Sequence, residues 1–212
     1  MPDRAALEVL REVFLDDAYA AATTTAPAPT ILDVGSHVGA SALYFHARYP
    51  EATIHAFEPD PDNFALLVAN TRQVPGVVVH NLAVAGSDGH RTLWQGNESW
   101  TSSLEPRSGP RAVPVQAVRL DTVLERLGLE TVDLLKLDVE GAEFDVISSC
   151  RRLDRYELIC AELHLDLVPA SIADWRAALG GYETTVEPIS AERALLVARR
   201  LGAPTVTSPA LR

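Results

Sequence analysis

The segment Thr30-Ile31-Leu32-Asp33-Val34-Gly35-Ser36-His37-Val38-Gly39 constrains the fold of this chain more than any other. Thr30 to Asp33 is mostly apolar and lacks strict alternation, which suits a strand buried on both faces of a parallel sheet. A glycine turn follows, and Val38, Leu43, Phe45 and His46 then fall at roughly helical spacing on the way to Tyr49. Strand, glycine turn and helix in this succession make half of a βαβ unit. Ile54, Ala56 and Phe57 supply a second short strand, which runs into Glu58 and Pro59. In nucleotide-binding folds an acidic side chain at the end of the second strand takes both ribose hydroxyls, and here Gly35 and Gly39 would let the backbone approach the ligand closely.

Spacing and charge decide which nucleotide. A pyrophosphate fingerprint reads G-x-G-x-x-G, whereas this chain has Gly35-Ser36-His37-Val38-Gly39, with Val34 where a glycine would stand. Asp33 at the mouth of the turn would repel a pyrophosphate but could orient the amino group of a cationic adenosyl ligand. That favours S-adenosylmethionine over a nicotinamide dinucleotide, and an NAD-dependent oxidoreductase stands as the disfavoured enzyme reading.

At 212 residues the chain is long enough for one domain with a sizeable core. Eighteen Lys plus Arg against 29 Asp plus Glu give a formal charge of -11, which excludes a general nucleic-acid surface. The two cysteines, Cys150 and Cys160, cannot form a dense disulfide framework and read as buried thiols. No run approaches the ~18 apolar residues of a membrane span, and Met1-Pro2-Asp3-Arg4 does not begin a signal segment, so a cytoplasmic protein with no membrane partner is expected.

Residues 3 to 22 carry Leu7, Leu10, Val13, Phe14 and Ala18 on one stripe, an amphipathic helix that either packs on the domain or covers the cofactor mouth. Pro27 and Pro29 break the linker that follows, giving three parts: residues 1–29 as helix and linker, 30–200 as the catalytic domain, and 201–212 as a flexible tail. Asp60 or Asp62 caps a helix through Phe64 and Leu67. Val77 to His80 is a third strand, and Asn81 and Ala83 beyond it are placed beside an adenine ring, because ligands of open α/β sheets bind outside the carboxyl ends of the strands. Arg91 to Trp94 pairs with Val113 to Ala117 across a long Gln95 to Pro110 loop, where Trp94 and Trp100 are candidates to line an acceptor site. Leu120 to Leu127 is a helix ending at Gly128. Thr131 to Asp138 is the next strong strand; Gly141 lets the chain turn after it, and Glu143 stabilises the following helix start. A strand from Tyr156 to His164 points Glu162 and His164 to the same side. Strands at Tyr182 to Val186 and Ala194 to Val197 complete the pattern.

These blocks resemble the FkbM-like S-adenosylmethionine-dependent methyltransferases. The likeness rests on Leu32 to Gly39, Ala56 to Asp60, Asn81 to Val84 and above all Lys136-Leu137-Asp138-Val139-Glu140-Gly141-Ala142-Glu143 with Ala161 to His164. It implies a Rossmann-like class I methyltransferase, an α/β fold with a seven-stranded, mostly parallel sheet flanked by helices, six strands running one way and one against them. It also implies methyl transfer to a hydroxyl oxygen of a small molecule such as a natural product or sugar. By position, Asp33, Gly35, Ser36 and Gly39 would hold the methionine part, Glu58 and Pro59 the ribose, and Asn81 and Ala83 the adenine. Ser103, in a Ser102-Ser103-Leu104 element, would face the cofactor beside Asp138.

A hydroxyl acceptor needs a base or a metal as its proton leaves. His164 is the first candidate base. Asp138, alone or with Glu162 and His164 around a divalent cation, is the second. A structural histidine at the sheet edge is the third reading. Lys136 is expected as a buried ion-pair partner of Asp138. A non-catalytic S-adenosylmethionine-binding scaffold and a homo-oligomer both remain compatible with the sequence.

Overall fold

The computed structural model describes residues 4–96, 102–104 and 111–202. Its centre is a seven-stranded sheet in the order β3-β2-β1-β7-β8-β10-β9. The strands are β1 (Thr30–Val34), β2 (Thr53–Phe57), β3 (Val77–His80), β7 (Leu134–Leu137), β8 (Leu158–His164), β9 (Tyr182–Pro188) and β10 (Arg193–Arg200). β1 is parallel to β2 and β7, β2 to β3, and β7 to β8, while β10 runs antiparallel to both β8 and β9. Six strands therefore share one direction and β10 opposes them, as the sequence blocks implied. A smaller sheet, ordered β4-β6-β5, is built from β4 (Ala83–Val84), β5 (Gly89–Gln95) and β6 (Arg111–Val118). The register Arg91↔Val115 and Leu93↔Val113 confirms the expected antiparallel pairing.

Side-chain alternation on the central strands divides the core into two layers. Ile31 and Leu134 face the layer of α1 (Arg4–Phe14) and α2 (Ala40–Arg48), with Tyr19, Phe45 and Ile54. Leu32, Val34, Leu135 and Leu137 face the opposite layer, where α4 (Leu120–Leu127), α5 (Glu143–Ser149) and α6 (Ile172–Ala178) contribute Leu124, Ile147 and Trp175. Ile31, Leu32, Leu134 and Leu135 are fully buried, each contributing about 1.5–3 kcal/mol of transfer free energy. Residues two apart on a strand share a face, so Asp33 follows Ile31, and Lys136 follows Leu134, into the α1/α2 layer. Register places these two charged residues side by side, Asp33↔Lys136.

Helix ends follow local chemistry. Asp60 rather than Asp62 caps α3 (Pro61–Thr71), its Oδ1 accepting from the backbone N–H of Asp62 and Asn63 at 2.9 and 3.3 Å. α4 stops at Gly128, where φ is 66°, and α6 begins with a Ser171/Asp174 capping box. The N-terminal helix is shorter than its apolar stripe suggested. It ends at Phe14, after which the N–H groups of Leu15 and Asp16 both donate to the Arg11 carbonyl and Asp17 takes φ 53°. The turn swings Tyr19 and Ala22 into the core while Leu7, Leu10 and Phe14 stay partly exposed. The tail from residue 203, Trp100 and most of the Gln95 to Pro110 loop lie outside the described residues. Among the described residues, no helix is long and apolar enough to cross a membrane, and Cys150 and Cys160 are buried free thiols.

Candidate active site

A cavity of about 420 Å³ opens at the carboxyl ends of β1, β2, β7 and β8, within the size range of ligand clefts. Its floor is the turn after β1. The N–H groups of Gly35 and Ser36 both donate to the Phe57 carbonyl at 3.0 Å, clamping the turn to the end of β2. Gly35, at φ 79°, is required by a protein neighbour: a Cβ there would lie 1.7 Å from the Asp138 carbonyl oxygen. Gly39, at φ 97°, starts α2, and a Cβ on it would meet Leu67 of α3 at 2.9 Å. The two glycines admit close packing of the chain on itself; Gly35 borders the cavity and Gly39 does not.

Asp33 also departs from expectation. Its carboxylate is fully buried beneath the turn, where Oδ2 accepts from Ser41 Oγ at 2.7 Å and Oδ1 lies 3.5 Å from Lys136 Nζ. It cannot orient a ligand amino group directly, because strand alternation aims it at α2 instead of the cavity. Lys136 binds the same turn, donating to the Gly35 carbonyl at 2.6 Å and lying 3.4 Å from Asp138 Oδ2. Burial pulls its pKa downward, but neighbouring Tyr19, Asp138 and Asp33 outweigh that and hold it well above the usual lysine value. Ser36 borders the cavity, and its Oγ donates to the Asp33 carbonyl at 2.7 Å.

Glu58 stands at the end of β2 with both oxygens engaged by backbone: Oε2 accepts from His37 N–H at 2.9 Å and Oε1 from Asp60 N–H at 2.8 Å. The carboxylate borders the cavity with Pro59, and burial raises its pKa to about 7. Asn81, expected beside the adenine, instead points back under this corner, its Nδ2 donating to the carbonyls of Glu58 and Pro59 at 2.9 and 3.1 Å. Leu82 and Ala83 border the cavity in its place. Ser103 lines the cavity as well, its Oγ donating to the Glu140 carbonyl. Ser102 Oγ and Gln95 Nε2 both donate to Asp60 Oδ2, at 3.0 and 2.8 Å, so the helix cap also anchors this segment. Trp94 pairs with Ser103 through backbone and does not line the cavity.

The opposite end of the cavity is a carboxylate and imidazole cluster. His164, at the end of β8, holds Glu143 Oε1 with Nδ1 at 2.9 Å. Its Nε2 lies 3.4 Å from Glu140 Oε2 and 4.0 Å from Glu162 Oε1. Glu143 is fully buried and also accepts from the N–H groups of Val139 and Gly141, at 3.1 and 3.0 Å, so it both shapes the turn and fixes the imidazole. Glu140 takes φ 53° and Gly141 φ 104° within that turn. Glu162 is tied to Arg193 Nη1 at 2.8 Å. Burial would lower the His164 pKa, but the Glu143 hydrogen bond and charge, with Asp138 and Glu140, overcome it and push it up to about 10. Burial, reinforced by Asp138, raises Glu140 to about 8 and Glu162 to about 7. The surrounding carboxylates thus favour the protonated imidazole, and a cation bound at Nε2 would have to displace that proton. The donor atoms that converge are those of Asp138, Glu140 and His164, all within 4.8 Å of one another. Glu140, absent from the expected set, displaces Glu162, which Arg193 occupies. Its place in the Lys136 to Glu143 block was visible, but only the paired positive-φ residues show that it turns toward His164.

The N-terminal helix supplies Glu8, Val9, Glu12 and Val13 to the same cavity. Residues 33–184 match the family model described as the methyltransferase FkbM domain. The chain belongs to the FkbM methyltransferase family. It is 30% identical over 200 residues to Methyltransferase 1 of Beauveria bassiana, covering 82% of this chain and 75% of that one. It is 28% identical over 212 residues to the 31-O-demethyl-FK506 methyltransferase FkbM of Streptomyces tacrolimicus, covering 83% and 80%. The crystal structure of a methyltransferase FkbM from Methylobacillus flagellatus KT superposes with a TM-score of 0.56 at 13% identity, covering 81% of this chain and 44% of the other, and shares the fold. For an FkbM-family chain the activity is S-adenosylmethionine-dependent methyl transfer to a small molecule.

Proposed function

We propose that this FkbM-family chain methylates a hydroxyl oxygen of a small molecule that carries no negative charge. The observation that supports this reading most is the polarity of this cavity, with the buried Glu58 carboxylate at one end and Asp138, Glu140, Glu162 and His164 at the other. In this reading Glu58 accepts from both ribose hydroxyls, with Gly35 and Ser36 beside the methionine part, Pro59 beside the ribose, Ala83 beside the adenine, and Ser103 over the cofactor. The sulfonium cation then sits toward the acidic end, where its charge is favoured. In the transfer, a lone pair of the acceptor oxygen forms the new C–O bond. Bound S-adenosylmethionine would supply the methyl group, the C–S electron pair staying on sulfur, and the Glu162 carboxylate would take the hydroxyl proton.

Glu8 and Glu12 add to the negative lining, and Lys136 and Arg193 are each already paired with carboxylates. An acceptor bearing a carboxylate or phosphate meets this field unfavourably, whereas a neutral polyol or macrolide alcohol does not. The relative from Streptomyces tacrolimicus, named for methylation of a 31-oxygen, agrees with oxygen as the acceptor atom. The test is calorimetric titration of S-adenosylmethionine, followed by S-adenosylhomocysteine production over neutral alcohols and their carboxylated or phosphorylated analogues. Expected are cofactor binding and higher kcat/KM for the neutral members. No cofactor binding refutes the methyltransferase reading, and faster turnover of the anionic members refutes the charge argument. A non-catalytic scaffold would bind the cofactor and release no product with any acceptor.

A further inference from the structure

We infer that Asp138, Glu140 and His164 form a divalent-cation site at the acceptor end of the cavity. Three different donor side chains, delivered by the end of β7, the turn after it and the end of β8, bring their ligand atoms within 4.8 Å of one another. A hexacoordinate cation with oxygen and nitrogen ligands at 2.0–2.1 Å needs neighbouring donors about 3 Å apart. The 3.4 Å between His164 Nε2 and Glu140 Oε2 is already close to that. The remaining contraction is within the reach of side-chain rotation.

The imidazole is prepared for this role from behind. Glu143, fully buried, fixes Nδ1 at 2.9 Å, leaving Nε2 directed at Glu140. Metal-bound histidines almost always show a carboxylate or carbonyl behind the second ring nitrogen, which sets the tautomer and raises ligand basicity. Charge points the same way. Asp33, Asp138, Glu140, Glu143 and Glu162 gather at this end of the sheet, while Lys136 and Arg193 are the neighbouring fixed cations among the described residues. An imidazole with two carboxylates selects a cation of the Mn²⁺, Fe²⁺ or Zn²⁺ type over Mg²⁺ and Ca²⁺, which prefer an all-oxygen shell. The consequence for catalysis rests on the proposed methyl transfer: the cation would orient the acceptor hydroxyl and lower its pKa, so that the proton leaves for Glu162 as the C–O bond forms.

The test uses Mn²⁺ alone with the metal-stripped full chain, following loss of the free Mn²⁺ paramagnetic resonance signal. Expected is one saturable site per chain, weakened at least tenfold by Glu140→Gln and by Asp138→Asn, and about 10–100-fold by Glu143→Gln, which holds the imidazole's second nitrogen and the turn that carries Glu140. Circular dichroism of each variant establishes that it is folded, and two independent ligand variants keep the test decisive if one is not. Absence of saturable binding below about 1 mM, or unchanged affinity in both ligand variants, overturns the site. Calorimetry with S-adenosylhomocysteine on the same metal-free protein separates the two readings. Cofactor binding without a Mn²⁺ site overturns the cation alone, and a Mn²⁺ site without cofactor binding supports the cation while refuting the methyltransferase reading.

Discussion

Replacing Gly35 by alanine is the most searching single perturbation of this architecture. The new Cβ would lie 1.7 Å from the Asp138 carbonyl oxygen, whereas carbon–oxygen contacts settle at about 3.3–3.6 Å, so one loop has to retreat by roughly 1.6 Å. Asp138 is held against β1 by its N–H donating to the Val34 carbonyl at 3.1 Å, and that bond, about 1 kcal/mol, is lost as the loops part. The left-handed backbone at φ 79° costs a non-glycine residue a further 1–2 kcal/mol or so. Forcing a methyl group into filled space adds about 1–3 kcal/mol. The sum is about 3–6 kcal/mol, which for a domain of this size lowers Tm by roughly 6–24 °C. Gly39→Ala is the control, because it shares the positive φ but its closest contacts are side-chain ends, Leu67 Cδ1 at 2.9 Å and Thr71 Cγ2 at 3.3 Å, instead of a backbone carbonyl, so its loss is about 1–3 kcal/mol. Urea unfolding of both variants gives the difference directly. The reasoning fails if Gly35→Ala is no less stable than Gly39→Ala.

Glu58 ties pH to two opposing effects. Its pKa of about 7 in the folded chain lies above the ordinary glutamate value of 4.5, so the folded state holds an extra proton between these values. Its contribution to stability is fully present below pH 4.5 and is lost as pH rises through 7, about 3 kcal/mol in all. In the proposed role the Glu58 carboxylate takes the ribose, so S-adenosylhomocysteine affinity should fall as pH drops below 7 while this part of stability rises; Glu58→Gln should flatten both profiles in calorimetry and thermal melts. Lys136→Met leaves Asp33 buried without its ion pair and should cost about 3–5 kcal/mol. Adding Asp33→Asn should recover part of that loss in urea unfolding, and the pairing is refuted if the two losses simply add.

The parallel core was legible because its strands are short apolar runs between glycine turns, and the Glu58 corner because an acid at the end of the second strand has one obvious place to point. Asp33 was misread for a reason that strand geometry supplies: it shares a face with Ile31, and its partners are Ser41 on the next helix and Lys136, far along the chain. Asn81 follows a strand end but turns back to the Glu58 and Pro59 carbonyls, a choice set by local hydrogen bonding that residue type alone does not reveal. The short N-terminal helix shows the limit of periodicity, since the apolar stripe continues past Phe14 while Asp16 and Asp17 stop the backbone. Glu140 was hidden because its direction depends on two successive left-handed residues, which only the folded turn displays.

The antiparallel strand has a bearing on how the molecule comes into being. β10 is the last strand among the described residues, yet it lies between β8 and β9 and brings Arg193 to Glu162 at 2.8 Å. The β3-β2-β1 half can assemble from neighbouring segments while the chain is still being synthesised, N-terminal parts first. The acceptor half has to wait for the final strand to insert, a non-local pairing of the kind that slows folding. A nascent chain would therefore acquire a pocket for the methyl donor before it has a finished place for the recipient, and methyl transfer would begin only when its last strand is in position.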